Sequence, residues 1–152
     1  ANAPEREAVQ RERSIQSNVP DVVAEAKAYL RAKYTNSDGQ MICQACQAER
    51  PFKLGNGEYY FEAVQIIRGL GQHFYENRLA LCPTCAAMYQ YARKCPDDDL
   101  RRRISNADLE EGSSVAHVEV ILAGKRHFLH FVGTHFFDLK LVMDGEFVAG
   151  SR

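Results

Sequence analysis

The chain has 152 residues, 45% of them apolar, 26% charged and 10% aromatic, with no Trp. That length can bury one real core, and the composition excludes collagen-like, low-complexity and wholly disordered chains. Nineteen basic against 20 acidic residues leave a net charge of −1, which excludes gripping nucleic acid or anionic membrane by bulk charge and leaves room only for a local basic patch.

Residues 1–20 form a polar arm or linker: from Ala1 to Asn18 Glu, Arg, Gln and Ser dominate, and Val9 and Ile15 are nearly the only bulky apolar side chains. A helix over Glu5–Gln16 would have too little apolar face to hold itself against a core. The chain opens on Ala rather than Met, as a processed or excised piece would. Residues 21–40 read as a packing helix. Pro20 stands at a first helical position with Asp21 after it, and Val22, Val23, Ala26, Tyr29, Leu30 and the Lys33 stem follow at helical spacing. The turn-formers Thr35 to Gly39 end it.

Residues 41–95 carry the cysteines. Cys43-Gln44-Ala45-Cys46 and Cys82-Pro83-Thr84-Cys85 are two C-x2-C pairs, 35 residues apart. Each such turn sets two sulfurs on one side of a tight knuckle, and two knuckles supply the four thiolates of a tetrahedral site holding one structural Zn2+. Iron would use the same ligands. Two disulfides would need an oxidising compartment, and no secretory signal is visible, so the expected location is intracellular, reducing and cytoplasmic. No apolar run approaches the roughly 20 residues of a membrane span, so no membrane partner is expected. A redox Cys-x-x-Cys would need only one pair on a thioredoxin-like frame. The fifth cysteine, Cys95, reads as a spare thiol.

Between the knuckles runs Tyr59-Tyr60-Phe61-Glu62-Ala63-Val64-Gln65-Ile66-Ile67, then Arg68-Gly69-Leu70-Gly71-Gln72, and finally Asn77-Arg78-Leu79-Ala80-Leu81-Cys82-Pro83-Thr84-Cys85. From about Ile42 to Tyr91 this resembles the HNH endonuclease family. Its members combine a Cys-x-x-Cys, an aromatic-Glu-Val-His-His-Ile strand, a glycine-containing loop and a closing Asn-Leu-x-x-Leu-Cys-x-x-Cys-His segment. The resemblance implies a ββα-metal unit held by a treble-clef zinc site, and DNA as a partner. It also implies that the paired histidines, a metal ligand and a general base in active members, fall on Val64 and Gln65, and the histidine after the last cysteine on Ala86. Valine cannot bind a cation, and a glutamine amide has no usable basicity near neutral pH. Of the eponymous set only Asn77 remains, suited to backbone hydrogen bonding. The expected function is therefore a catalytically inactive zinc module for nucleic-acid or protein recognition within a larger DNA-processing or defence protein. The alternative is a Mg2+- or Mn2+-dependent nuclease with a relocated site, for which His73 and Glu62 are the nearest substitutes.

Arg68, Arg78, Arg93 and Lys94 are the candidate nucleic-acid contacts. From Cys43 to Cys95 they stand with Arg50 and Lys53 against Glu49, Glu58, Glu62 and Glu76, a small basic excess for a phosphate-binding face. Tyr59, Tyr60, Phe61, Phe74 and Tyr75 suit either base stacking or a small core.

Residues 96–152 read as a C-terminal extension. Asp97-Asp98-Asp99 precede Arg101-Arg102-Arg103, acids first and bases after, as a short helix prefers. Val115–Leu122 alternates as a strand with Ala116, Val118, Val120 and Leu122 on one face, Ala123-Gly124-Lys125 turns, and Arg126–Val132 returns as a hairpin. Gly133-Thr134 offers an N-cap to a closing helix over His135–Met143, although Phe137, Leu139, Leu141 and Met143 also alternate as a third strand would. His127 and His130 differ by an odd number and face opposite sides, and His117 sits on the polar face. No second metal site is expected from them. The fold class is α+β: a zinc-stabilised treble-clef, HNH-like module with N-terminal helices and a C-terminal β-hairpin plus closing helix.

Overall fold

The computed structural model describes residues 14–70, 74–109 and 111–150. They form a mixed α+β structure with four α-helices and two antiparallel two-stranded sheets. Helix α1 spans Ser14–Tyr34, and the first sheet pairs β1 (Glu62–Gln65) with β2 (Arg78–Leu81). Helices α2 (Pro83–Tyr91) and α3 (Asp97–Asn106) follow. The second sheet pairs β3 (Val115–Leu122) with β4 (Lys125–Val132), and α4 (Gly133–Gly150) closes the chain.

Helix α1 starts at Ser14, before the expected Pro20, so Pro20 lies within it. Proline has no N–H, which leaves the Gln16 carbonyl without its intrahelical donor, but the chain continues in helical form on both sides. The arm and helix expected before Ser14 lie outside the described residues. Downstream, Val22, Ala26, Leu30 and Tyr34 are buried at four-residue spacing and form one apolar stripe. Leu30 and Tyr34 join Met41, Phe61 and Ala80 in a small core against one face of the first sheet.

The other face of that sheet looks into the main core. In β2, Leu79 and Leu81 belong to the main cluster and Ala80 to the small one, as a two-residue period requires. The main cluster also takes Val64, Ala86, Tyr89, Leu100, Ile104, the buried face of the hairpin, and Phe136, Leu139 and Met143 of α4. The segments before and after Cys95 therefore share one interior.

The hairpin is the best-patterned element. Ala116, Val118, Val120 and Leu122 are all buried, as their alternation predicts. The turn is two residues, Ala123 and Gly124, both at positive φ (51° and 78°). That matches the twist of the flanking strands and pairs Leu122 with Lys125. After β4 the chain is helical, so the alternating apolar residues of 137–143 lie on a helix and not on a third strand. Phe136, Leu139 and Met143 face inward, while Phe137 and Leu141 remain exposed.

Three buried polar side chains tie these parts together. Asn77 is fully buried. Its Nδ2 donates to the Ile67 carbonyl at 2.8 Å and its Oδ1 accepts from the Ile67 N–H at 3.0 Å, pinning the ends of the 66–77 loop. His135 is fully buried between Tyr34 and Glu76. The Glu76 carbonyl can only accept, so Nε2 carries the proton (2.9 Å), and Nδ1 accepts from the Tyr34 hydroxyl (2.7 Å). That hydroxyl in turn accepts from the Val132 N–H at 3.2 Å.

Gln44, 1% exposed, reaches both sheets. Its N–H donates to the Ala80 carbonyl and its Oε1 accepts from the Ala80 N–H, both at 2.8 Å. On the opposite side its carbonyl accepts from the His130 N–H and its Nε2 donates to the His130 carbonyl, both at 2.9 Å. Gln44→Ala would strand the Ala80 N–H and the His130 carbonyl in a buried site. At about 1–3 kcal/mol per orphaned group, we expect a loss of about 2–4 kcal/mol in denaturant unfolding.

His135 also sets a pH dependence. Burial lowers its pKa from 6.5 to about 4, so between those values the unfolded chain binds a proton that the folded chain does not. Stability is fully present above pH 6.5 and falls as pH drops toward 4, by at most about 1.4 kcal/mol per unit and about 3 kcal/mol in all. Unfolding curves from pH 7 to 4 should show this fall in the wild type and a shallower one in His135→Gln. Other titrating groups are common to both chains and cancel in the comparison.

Candidate metal centre

The first knuckle is shaped by backbone geometry. The Gln47 N–H donates to the Cys43 carbonyl at 2.9 Å, and Gln47 takes a left-handed φ of 65° to close the turn. The Cys43 N–H pairs with the Ala48 carbonyl at 3.0 Å. The second knuckle uses a helix terminus: Cys82 is the N-cap of α2, its sulfur accepts from the Cys85 N–H at 3.3 Å, and Pro83 occupies the first turn, where a missing N–H costs nothing. Gln44 holds one knuckle beside β2, which leads directly into the other.

The result is one cluster: the sulfurs of Cys43, Cys46, Cys82 and Cys85 all lie within 4.8 Å of one another. A tetrahedral ion with metal–sulfur bonds of about 2.3 Å needs sulfurs roughly 3.8 Å apart, so small side-chain rotations bring the four sulfurs to that spacing. They could hold a metal ion, and an all-sulfur donor set is consistent with zinc. A bound dication would supply charge neutralisation for the thiolates and a cross-link between the two knuckles. Among the described residues this is the sole grouping of three or more His, Cys, Asp or Glu side chains close enough to do so.

The electrostatics fit a site for a cation. The Cys43 sulfur accepts from the Ala45 N–H at 3.4 Å and the Cys82 N–H at 3.3 Å. With the Cys85 thiol donating to it, its pKa falls to about 4. Cys46 is pushed up by partial desolvation of its thiol against the other sulfurs and by the neighbouring Cys43, and Cys85 by its hydrogen bond to Cys43 and then by burial. One thiolate is thus preorganised, and its neighbours resist a second negative charge unless a cation joins them. Cys46 is exposed and Cys43 and Cys85 are buried, so the cage opens to solvent on the Cys46 side. All five cysteines are free thiols, and Cys95 sits apart from the cluster, buried, with its thiol 3.5 Å from the Pro96 carbonyl.

The other expected positions scatter. Val64 and Ala86 are each 4% exposed and belong to the main core. Gln65 is half-buried beside a cleft of about 170 Å³ between β1 and α2, lined also by Val64, Arg68, Tyr89, Gln90, Tyr91 and Arg93. Glu62 accepts from the Tyr60 hydroxyl, and His73 lies outside the described residues. Of the four basic candidates, Arg68, Arg93 and Lys94 line one groove that continues this cleft past Pro96 and Asp97. Arg78 stands elsewhere, half-buried, donating to the Ala63 carbonyl at 3.1 Å. Arg93 is spent internally: it lies over the Tyr89 ring, donates to the Tyr89 hydroxyl at 2.8 Å and pairs with Asp97 at 2.5 Å. Of the six Phe and Tyr side chains between the knuckles, Phe61 alone is fully buried.

Two features have no counterpart in the sequence reading. One is Gln44, whose role depends on partners 36 and 86 residues away. The other is the facing of His117 and His130, which the strand register places opposite one another. Comparison with protein-family models, curated proteins and solved structures returned no match to this chain. Cobalt(II) added to the metal-free chain should give the intense thiolate-to-metal absorption of a tetrahedral four-sulfur site at one ion per chain. Cys85→Ser should abolish that signature, and Cys95→Ser should retain it; loss in Cys95→Ser would count against the assigned ligand set.

Proposed function

We propose that the chain is a zinc-stabilised, HNH-like treble-clef module whose cutting site has been vacated, and that it serves recognition of the nucleic-acid backbone as one intracellular part of a DNA-processing or defence protein. The order of parts supports this reading. A cysteine knuckle is followed by a two-stranded antiparallel hairpin and then by a helix whose N-terminus carries the second cysteine pair. Asn77 at the end of the intervening loop spends its amide on the loop backbone. On this reading residues 41–95 are the zinc module and 96–152 its extension, with residues 1–20 as an arm.

The observation that carries the proposal is the content of the cleft between β1 and α2. The positions that would bear catalytic histidines are Val64, Gln65 and Ala86. Among the described residues, the side chains around the opening bring two guanidinium groups and no carboxylate or imidazole. Among those residues a cation-activated water has no ligand set, whereas a phosphate finds complementary charge. Arg68 and Lys94 are exposed, with no hydrogen bond or ion pair from their side-chain nitrogens among the described residues. Tyr91, 86% exposed, offers a ring beside them for stacking.

Two available cations predict weak, salt-dependent binding. The slope of log affinity against log salt should be about −2 for duplex DNA, from roughly 0.9 per neutralised phosphate. The double variant Arg68→Gln, Lys94→Gln should flatten it. Supercoiled plasmid with Mg2+ or Mn2+ should stay uncut; nicking that survives repurification and is lost in His73→Ala would establish the relocated nuclease instead. An absence of salt-dependent DNA binding near physiological ionic strength would move the module to protein–protein contact.

A further inference from the structure

The outer face of the β3–β4 hairpin carries a pair of imidazoles, His117 and His130, that lies outside both the four-cysteine cluster and the basic groove. The register sets His117 directly opposite His130. The main-chain N–H and C=O of His130 are both committed outward to Gln44, so this is a non-hydrogen-bonded pair, the kind in which opposing side chains lie closest. Their ring centroids are 4.6 Å apart with the planes nearly perpendicular, at 87°. Both side chains are half-buried and stand on the face away from the core.

Room for an ion and its water exists on both sides. A cavity of about 220 Å³ bordered by His130, Val115, Val132 and Gln47 opens on one flank. On the other, His117 and Glu119 line a wider groove with Asp99. The cations near that groove are engaged: Arg102 pairs with Asp99, Arg103 donates to the Glu119 carbonyl at 2.8 Å, and Arg126 lies 3.7 Å from the Glu119 carboxylate. Lys33, at the edge of the first cavity, donates to Thr134 at 2.8 Å.

We infer that His117 and His130 form a second, labile metal site, distinct from the four-cysteine cluster, for a borderline transition cation such as Ni2+, Cu2+ or Zn2+. Two imidazoles supply the protein ligands and water completes the shell. Imidazole nitrogen suits these ions. Metal–nitrogen bonds of about 2.0 Å in a tetrahedral shell place two nitrogens roughly 3.3 Å apart, a separation that modest ring rotation reaches from the present geometry. Burial and then the neighbouring His117 lower the His130 pKa, against the nearby Cys43, and a metal ion binds the neutral form of the ring. An ion here bridges β3 to β4 at the residue where Gln44 fastens the hairpin to the first knuckle.

The test is calorimetric titration of Ni2+ into the full chain with its cysteine site filled by Zn2+, with absorption recorded in parallel. The expected result is one further ion per chain with no nickel–thiolate charge-transfer band. His117→Gln and His130→Gln should each weaken binding at least about tenfold, while His127→Gln, half-buried on the other face of β4 beside the Lys125 carbonyl, should leave it unchanged. Saturating Ni2+ should also raise the melting temperature of the wild type and not of the two variants. Absence of a second ion, or binding that persists in the His117→Gln, His130→Gln double variant, would overturn the assignment. Each readout is independent of DNA binding and of nicking.

Discussion

Four hydrogen bonds from one glutamine hold the two halves of the molecule in register. A side-chain amide has the same donor and acceptor pair as a peptide group, and Gln44 uses this twice: main chain and amide together face Ala80 of β2 on one side and His130 of β4 on the other. It behaves as a one-residue strand between two sheets that share no ladder of their own. Without it each sheet would turn an unpaired edge toward the interior, where such groups are costly. Cys43 precedes Gln44 in the chain, and Ala80 lies two residues before Cys82. The same contact therefore aligns the sheets and brings the two pairs of sulfurs to one point. An ion held by the cysteines is coupled to the hairpin through this residue, beside the main-chain bonds that tie Ala92 and Lys94, just after α2, to Ala123 and Ile121.

The other buried polar groups act in the same economical way. Asn77 closes the 66–77 loop with one amide. His135 and Tyr34 join α1, β4, α4 and the backbone at Glu76 through three hydrogen bonds. A small core with few layers gains specificity when each buried polar group has its partner. Where the HNH resemblance would put histidines, the chain instead places Val64 and Ala86 inside the main cluster. In the proposed reading, replacing those ligands with apolar side chains removes polar groups that would need a cation and adds contacts to the core. Asn77 and Gln44 take their side-chain hydrogen bonds from other residues, so in this reading the loop and the sheet junction are compatible with the change.

What was legible in the sequence was local. Two C-x2-C turns announce a sulfur cluster because each knuckle is complete within a few residues, and β3 announces its buried face because alternation is a property of the strand itself. The start of α1 was not legible in this way: Pro20 is a strong first-turn signal, but a proline that lacks one donor can also sit inside a helix, and it does. The burial stripe from Val22 to Tyr34 is the same in either case. Gln44 gives no periodic signal at all, since its importance lies in partners far along the chain. The histidine pair was within reach. Parity along one strand separates His127 from His130 correctly, but it says nothing across strands. Reading the turn as the two residues Ala123 and Gly124, rather than as three, sets His117 opposite His130.

Asp97 decides how much the basic groove can do. It begins α3, where a carboxylate is favoured by the helix dipole, and it accepts from the Arg68 N–H at 2.9 Å while pairing with the Arg93 guanidinium. That fixes the groove's wall and at the same time consumes one of its charges. Arg78 is likewise held against the backbone of β1. A chain with a net charge of −1 adds little long-range attraction, so the contact left to Arg68, Lys94 and Tyr91 is short-ranged and weak by itself. Such a contact becomes effective when it is one of several: a second binding element on the same polypeptide turns it into an intramolecular event at a high effective concentration. In the proposed reading the groove therefore orients a nucleic acid that another element has already engaged, rather than capturing one alone.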